Sequence, residues 1–294
     1  MNKVQRVPSL RAAVQAARKD KKTIGFVPTM GNLHEGHLEL VRVAKRRADF
    51  VVVSIYVNPT QFGENEDLDN YPRTLSADRQ KLFADGTQFL FTPTVEEMYP
   101  NGMESQTKVI VPDLANTLCG ANRPGHFTGV STVVSKLFQQ VQPDIAIFGK
   151  KDFQQLSIIQ KMTKDLCMPI EILGVDTARD IDGLALSSRN GYLNQVERNI
   201  APTLHQTLQQ CRDAIACGYD SYKELELHAK YTLKSAGFEP DYFSVCDAGT
   251  LREVTLYTEQ IVIAAAAKLG QTRLIDNVTL NLNPSQDWGM LATN

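Results

Sequence analysis

The chain has 294 residues, and 31 Lys and Arg against 33 Asp and Glu leave a formal charge of −2. That balance offers no electrostatic footprint for nucleic acid or an anionic membrane. Hydrophobic residues at 43% and charged residues at 22% exclude a disordered chain. At ~150 residues per domain the length suggests two domains, each able to form a core without a metal or disulfide staple. Five cysteines, an odd number with no CxxC pair, point to free thiols in a reducing, cytoplasmic compartment.

The basic N-terminus lacks a secretory apolar segment. A transit peptide is one reading of it, but a helix over about 10–19 with Ser9 as N-cap is simpler. Short apolar runs without strict alternation then predict strands at 23–27, 50–57, 88–91, 144–148 and 170–175. Runs of that kind are buried on both faces, as in a parallel sheet covered by helices. Helical patterns lie between them at 36–48, 75–84, 129–141 and 152–167. The alternation predicts a Rossmann-like, doubly wound α/β domain over residues 1–176, with ligands beyond the carboxyl ends of its strands.

After residue 175 a polar connector, TARDIDGLALSSRNGYL, leads to amphipathic helices at 195–217 and 221–236. Strand-like runs follow at 242–246, 260–266 and 272–275, which makes residues 177–294 a smaller α+β domain. The longest aliphatic run, 261–267, is strand-sized and far short of the ~18–20 residues that span a membrane. The polar tail beyond Leu282, with Trp288, is expected to fray.

Residues 27–41 read VPTMGNLHEGHLELV. A buried strand ends near Pro28, a Gly-bearing loop follows, and a helix opens near Gly36, which suits an anion such as phosphate. The Lys-Ser/Thr that a P-loop requires is replaced by His37-Leu38, no GxGxxG is present, and His34 and His37 are three apart where a zincin needs four. Two imidazoles at a helix start can instead donate to phosphate oxygens as a phosphoanhydride breaks. A second cluster, FGKKDFQQL, places Lys151 to pair with a phosphate, Asp152 to cap a helix or hold a ribose or metal, and Gln155 one turn on. A third, LALSSRNGYL, sets Ser187 and Ser188 beside Arg189 on a connector suited to closing over a polyphosphate. Gln61 follows the strand at 50–57.

These clusters, with YPRTLSAD, RPGHFTGVSTVVSKLF, QPDIAIF and the late RLIDN, resemble the pantothenate synthetase (pantoate–β-alanine ligase) family over about residues 27–277. The HxGH signature is shared with the wider nucleotidyltransferase superfamily. The resemblance implies that ATP and (R)-pantoate form pantoyl adenylate and pyrophosphate, and that β-alanine then displaces AMP. It carries the ATP loop onto Met30, Gly31, Asn32, Leu33, His34, Glu35, Gly36 and His37, with His37 as the catalytic proton donor beside His34 and Lys151. Further ATP contacts fall on Gly149, Lys150, Lys151 and Asp152, on the backbone of Ala178, and on Leu186, Ser187, Ser188 and Arg189. Gln61 is carried over to pantoate and β-alanine, and Gln155 to pantoate. Two positions depart from the family pattern: Lys150 stands where Glu is usual, adding positive charge beside the phosphates, and Ala178 where Val is common.

The residue types fit that chemistry. Neutral amides at Gln61 and Gln155 orient a carboxylate and leave it nucleophilic, whereas a bidentate Arg would quench it. A transferase moving a nucleotide onto a phosphorylated acceptor shares HxGH but would need Arg or Lys at those two places. A non-catalytic nucleotide sensor would tolerate loss of His34, His37 or Lys151. The implied cofactor set is ATP as co-substrate with Mg²⁺ carried on its phosphates, no protein metal site and no tightly bound group. The C-terminal domain is expected to act as a lid, with both steps in one cleft between the domains. A homodimer is expected through an apolar strand edge at 50–57 with the helix at 129–141.

Overall fold

The apolar runs of the first half assemble into one parallel sheet in a computed structural model that describes residues 1–64 and 66–282. The expected tail and Trp288 lie outside the described residues. The strands are β1 (Asn2–Val4), β2 (Ile24–Thr29), β3 (Phe50–Ile55), β4 (Phe89–Phe91), β5 (Ile145–Gly149) and β6 (Glu171–Val175). Their order is β1-β4-β3-β2-β5-β6, and every neighbouring pair is parallel. The helices are α1 (Val7–Lys19), α2 (Glu35–Arg47), α3 (Leu75–Ala84), α4 (Val95–Met98), α5 (Cys119–Asn122), α6 (His126–Val141) and α7 (Phe153–Asp165). From β2 the chain steps outward through β3 to β4, then returns to β5 on the other side of β2. The order therefore reverses between β2 and β5, where open α/β sheets bind ligands.

Val27, Val53, Leu90 and Ile147 from four strands pack with Leu40, Val41 and Ala44 of α2. Each large aliphatic side chain buried there stabilises the layer by roughly 1.5–3 kcal/mol. The chain divides into two compact units, Met1–Ala178 with Leu186–Ser188, and Arg179–Ala185 with the residues from Arg189 onward. The second unit holds α8 (Gln195–Ile200), α9 (Thr203–Ala216), α10 (Tyr222–Ser235), β7 (Glu239–Asp247), β8 (Gln260–Leu269) and β9 (Thr272–Asn281). Its strands form an antiparallel sheet in the order β7-β8-β9. Leu204, Leu208 and Leu233 of the helices pack on Phe243, Ile261 and Ile263.

Several expectations need correction. Helix α1 begins at Val7, with Pro8 in its first turn and the Val7 N–H held by Glu97 Oε1 at 2.8 Å, so Ser9 is not the cap. Proline suits that position because the first-turn N–H groups lack intrahelical partners. The helix expected over 195–217 is broken at Ala201 and Pro202 into α8 and α9, since proline cannot continue a helix that requires its N–H. Strand β1 goes unforeseen because it is short, at the sheet edge and mostly exposed. The connector is not merely a polar linker. Residues 179–185 close as a small hairpin with Arg179 opposite Ala185 and Leu184 in the core of the second unit.

The surface expected to carry a dimer is not a surface. Strand β3 lies inside the sheet between β4 and β2, with Val51, Val52 and Val53 fully buried. Helix α6 buries Val130, Val133, Val134, Leu137 and Phe138 within its own chain. An unalternating run cannot reveal whether its strand is central or at an edge.

Candidate active site

Strand β2 delivers the chain to a turn in which Gly31 and Asn32 both take left-handed backbone, at φ of +89° and +49°. Glycine adopts this freely and asparagine tolerates it better than most residues. The turn is held from below by Asp78 of α3, which is fully buried. Its Oδ2 accepts from the Asn32 N–H at 2.9 Å and its Oδ1 from the Leu33 N–H at 2.8 Å. Lys81, one turn further along α3, donates to the Leu33 carbonyl at 2.6 Å. Sequence reasoning passed over Asp78, although a signal exists. It takes a core position in the stripe of Leu75 and Leu82, where an acid needs an internal partner.

Helix α2 starts at Glu35, so His34 and His37 sit at its N-terminal end. Helix geometry leaves the first N–H groups there without intrahelical acceptors. The two rings lie 4.1 Å apart, centroid to centroid. His37 Nδ1 accepts from the His34 backbone N–H at 3.4 Å, which places the proton of a neutral His37 on Nε2. His34 packs over Gly36. A Cβ at Gly36 would lie 3.0 Å from the His34 ring and 3.4 Å from the Ala178 Cβ, so glycine makes room for both. Two members of the loop have side chains engaged elsewhere. Leu33 lies in the sheet core, and Glu35 ion-pairs with Arg42 on its own helix.

Burial, reinforced by Lys151 and Lys81, pushes His34 down to about 4. Burial, then His34, Lys151 and Lys81, pushes His37 to about 3. Both are therefore neutral donors at pH 7 in the free enzyme, in a region whose field is positive. His126 on α6 is pushed to about 4 by burial and then Arg123. These shifts carry a stability consequence. Between the folded values and the ordinary 6.5, the unfolded chain binds more protons, so stability falls as pH drops from 6.5 toward 4. Each imidazole contributes a slope of about 1.4 kcal/mol per pH unit in that window. Denaturant unfolding at pH 7.5 and 5.5 should show a marked loss, and His126→Gln should flatten it by roughly a third. An unchanged slope in that variant would remove His126 from the account.

The other expected segments also lie at strand ends. After β5, Gly149 leads into a 3-10 turn of Lys150, Lys151 and Asp152, and Lys151 is close enough to perturb both histidines. Asp152 makes no side-chain cap on α7, contrary to one expectation, and stays exposed. Lys150 does not simply add charge, because its ammonium pairs with Asp176 at 2.7 Å. Gln155 stands half-buried on α7. Gln61, beyond β3, is 9% exposed and its Nε2 donates to Met30 Sδ at 3.2 Å. Ala178 accepts from the Leu186 N–H at 2.9 Å. Asn32 and Ser188 exchange two hydrogen bonds, Asn32 Nδ2 to the Ser188 carbonyl at 3.2 Å and Ser188 Oγ to the Asn32 carbonyl at 3.1 Å. The first unit thus joins Met30 to Gln61, the HxGH loop to Ala178, and Asn32 to Ser188, while Arg189 belongs to the second unit.

Helix termini, two neutral imidazoles and a lysine around a strand-reversal point can bind a polyphosphate and stabilise charge as it leaves. Residues 2–279 match the family model described as pantoate-beta-alanine ligase. A pantothenate synthetase of Pseudomonas savastanoi pv. phaseolicola is 58% identical over 95% of this chain and 99% of its own. One from Pseudomonas aeruginosa is 56% identical over 96% of this chain and the whole of its own. Among solved structures, pantothenate synthetase from Thermus thermophilus superposes with a TM-score of 0.88 at 44% identity, covering 95% of this chain and 99% of that one. The pantoate-beta-alanine ligase of Francisella tularensis, complexed with beta-gamma ATP and beta-alanine, gives 0.78 at 33% identity, covering 95% and 97%.

Proposed function

The chain belongs to the pantoate–β-alanine ligase family, and from that premise we propose how its own residues divide the reaction. It condenses (R)-pantoate with β-alanine at the expense of ATP. A pantoate carboxylate oxygen attacks the α-phosphorus and the bond to the β-phosphate breaks, giving pantoyl adenylate and pyrophosphate. The β-alanine amine then attacks the acyl carbon, the bond to AMP breaks, and the amine's surplus proton passes to solvent.

The observation that carries the assignment is the His34–His37 pair at the start of α2, 4.1 Å apart and within the field of Lys151. His37 Nε2–H donates to the bridging or β-phosphate oxygen as pyrophosphate departs, and His34 and Lys151 hold the same phosphates. Gly31, Asn32 and Gly36 shape the loop, with Ser187, Ser188 and Arg189 meeting the polyphosphate and the Ala178 backbone the adenine. Gln61 and Gln155 orient pantoate without neutralising its carboxylate. The donor set here is mostly cationic and neutral, with Asp152 as its exposed carboxylate, which fits a magnesium ion held chiefly by phosphate oxygens. That ion would offset the triphosphate charge. Asp152 would be the protein group beside it.

With ATP labelled in the bridging position, isotope scrambling should require pantoate and proceed without β-alanine. Scrambling that depends on β-alanine would sink the sequential scheme. Family resemblance also supports a cytoplasmic homodimer and a lid role for the C-terminal domain. Sedimentation near twice 32.7 kDa would bear out the dimer, and a species of 32.7 kDa at micromolar concentration would count against it.

A further inference from the structure

Gln61 carries an amide whose two ends have nearly the same shape, so its neighbours must decide which end faces substrate. The chain of decisions starts at the carbonyl of Gly129, which can only accept. Asn58, buried at 1% exposure, turns its Nδ2 to that carbonyl at 3.3 Å. Its Oδ1 then lies where the Tyr99 hydroxyl donates at 2.7 Å and the Thr60 hydroxyl at 3.1 Å. Hydroxyls rotate to suit either orientation, so they accommodate the choice and the carbonyl makes it. The same Nδ2 donates to Gln61 Oε1 at 3.1 Å. Gln61 is left with Nε2 on its opposite side, against the thioether of Met30 at 3.2 Å. A thioether is a weak acceptor, so a ligand oxygen arriving there gains a hydrogen bond at little loss.

Helix α6 supplies the fixed point because its backbone comes unusually close to the loop. A Cβ at Gly129 would lie 2.3 Å from the Thr60 carbonyl oxygen, which no side chain permits. One turn earlier, His126 Nδ1 lies 2.7 Å from the Gln61 carbonyl, and the ring donates to it from that nitrogen. Arg123 Nη1 meets the other ring nitrogen at 3.0 Å, and Arg123 is itself paired with Glu66.

We propose that Asn58, oriented by the Gly129 carbonyl, is a positioning residue that sets the polarity of Gln61, so that Gln61 meets its substrate with N–H donors only. The ligand group it reads is an oxygen that can only accept, the carboxylate of pantoate. This rests on the reading that Gln61 contacts pantoate.

The test compares pantoate with its primary amide, which can donate where the carboxylate cannot. In Asn58→Asp the donor toward Oε1 is gone, so Gln61 turns Nε2 to the new carboxylate and offers Oε1 to the ligand. KM for pantoate should rise about 10-fold or more, while the inhibition constant of the amide changes far less. KM for ATP should stay within about 2-fold. Equal losses for acid and amide, or none, overturn the proposal. If Asn58→Asp does not fold, Asn58→Ala removes the donor to Oε1 and leaves Gln61 free to present either end. A rise of about 3-fold in KM for pantoate, with a smaller change in the inhibition constant of the amide, is then expected, and no change or an equal change for both overturns it. Gln61→Ala separates the two layers. If it leaves KM for pantoate unchanged, the contact itself is wrong. If it raises KM while Asn58→Asp keeps the wild-type preference, the contact stands and the relay fails.

Discussion

Replacing His37 by alanine is expected to lower kcat by about 10² or more, with KM for ATP changed only a few-fold. The expectation follows from where charge develops. His37 lies at the start of α2 with its neutral-form proton on Nε2, fixed by the hydrogen bond that Nδ1 accepts from His34. In the free enzyme the imidazole is pushed down to about 3, chiefly by burial. A negative charge about 4 Å away at an effective dielectric near 20 contributes ~4 kcal/mol, on the order of three pKa units. In the role proposed for it, His37 would be brought by bound triphosphate into a range where it can hand over a proton as pyrophosphate leaves. Calorimetry of ATP binding at pH 6 in two buffers of different ionisation enthalpy should show proton uptake, reduced in His37→Ala. A purely structural His37 predicts otherwise: lower thermal stability, with kcat of the folded fraction intact. A variant keeping more than about a third of wild-type kcat loses the catalytic assignment.

Lys151→Ala should cost a similar factor, ~10²–10³ in kcat, because a fixed cation is worth most where phosphate charge grows. It has a second, separable effect. The Lys151 charge lowers both His34 and His37, so removing it raises both imidazoles. The limb of kcat/KM that these imidazoles set, which reports groups of the free enzyme, should move to higher pH. Lys151→Arg keeps the charge but not the compact ammonium geometry, so it should return that limb toward its wild-type position while recovering kcat only in part. A limb that stays put in Lys151→Ala would show that the lysine does not share a field with the histidines.

The amino-acid sequence by itself determined the parts that depend on neighbours in the chain. Short, unalternating runs such as VVVSI and IAIF read as strands covered on both faces, and they are β3 and β5 of a parallel sheet. The HxGH loop was legible because a strand end, a Gly-bearing loop and a helix start follow one another within about a dozen residues. The α+β character of the second unit was likewise readable, from strand-like runs that follow two amphipathic helices.

Tertiary structure alone decided what those segments meet. Strand order put β3 inside the sheet, against the dimer edge expected there, because a buried run has the same composition in a central strand as at an edge. Asp78 reaches the loop from 46 residues away in sequence and Gly129 reaches Asn58 from 71. Contacts of that span leave no periodic trace in composition. Lys150 offered a charge that only its pairing with Asp176 qualifies. The protonation of His34 and His37 is the furthest removed from sequence. Burial and the fields of Lys81 and Lys151 set it, and both are sums over elements that only folding brings together.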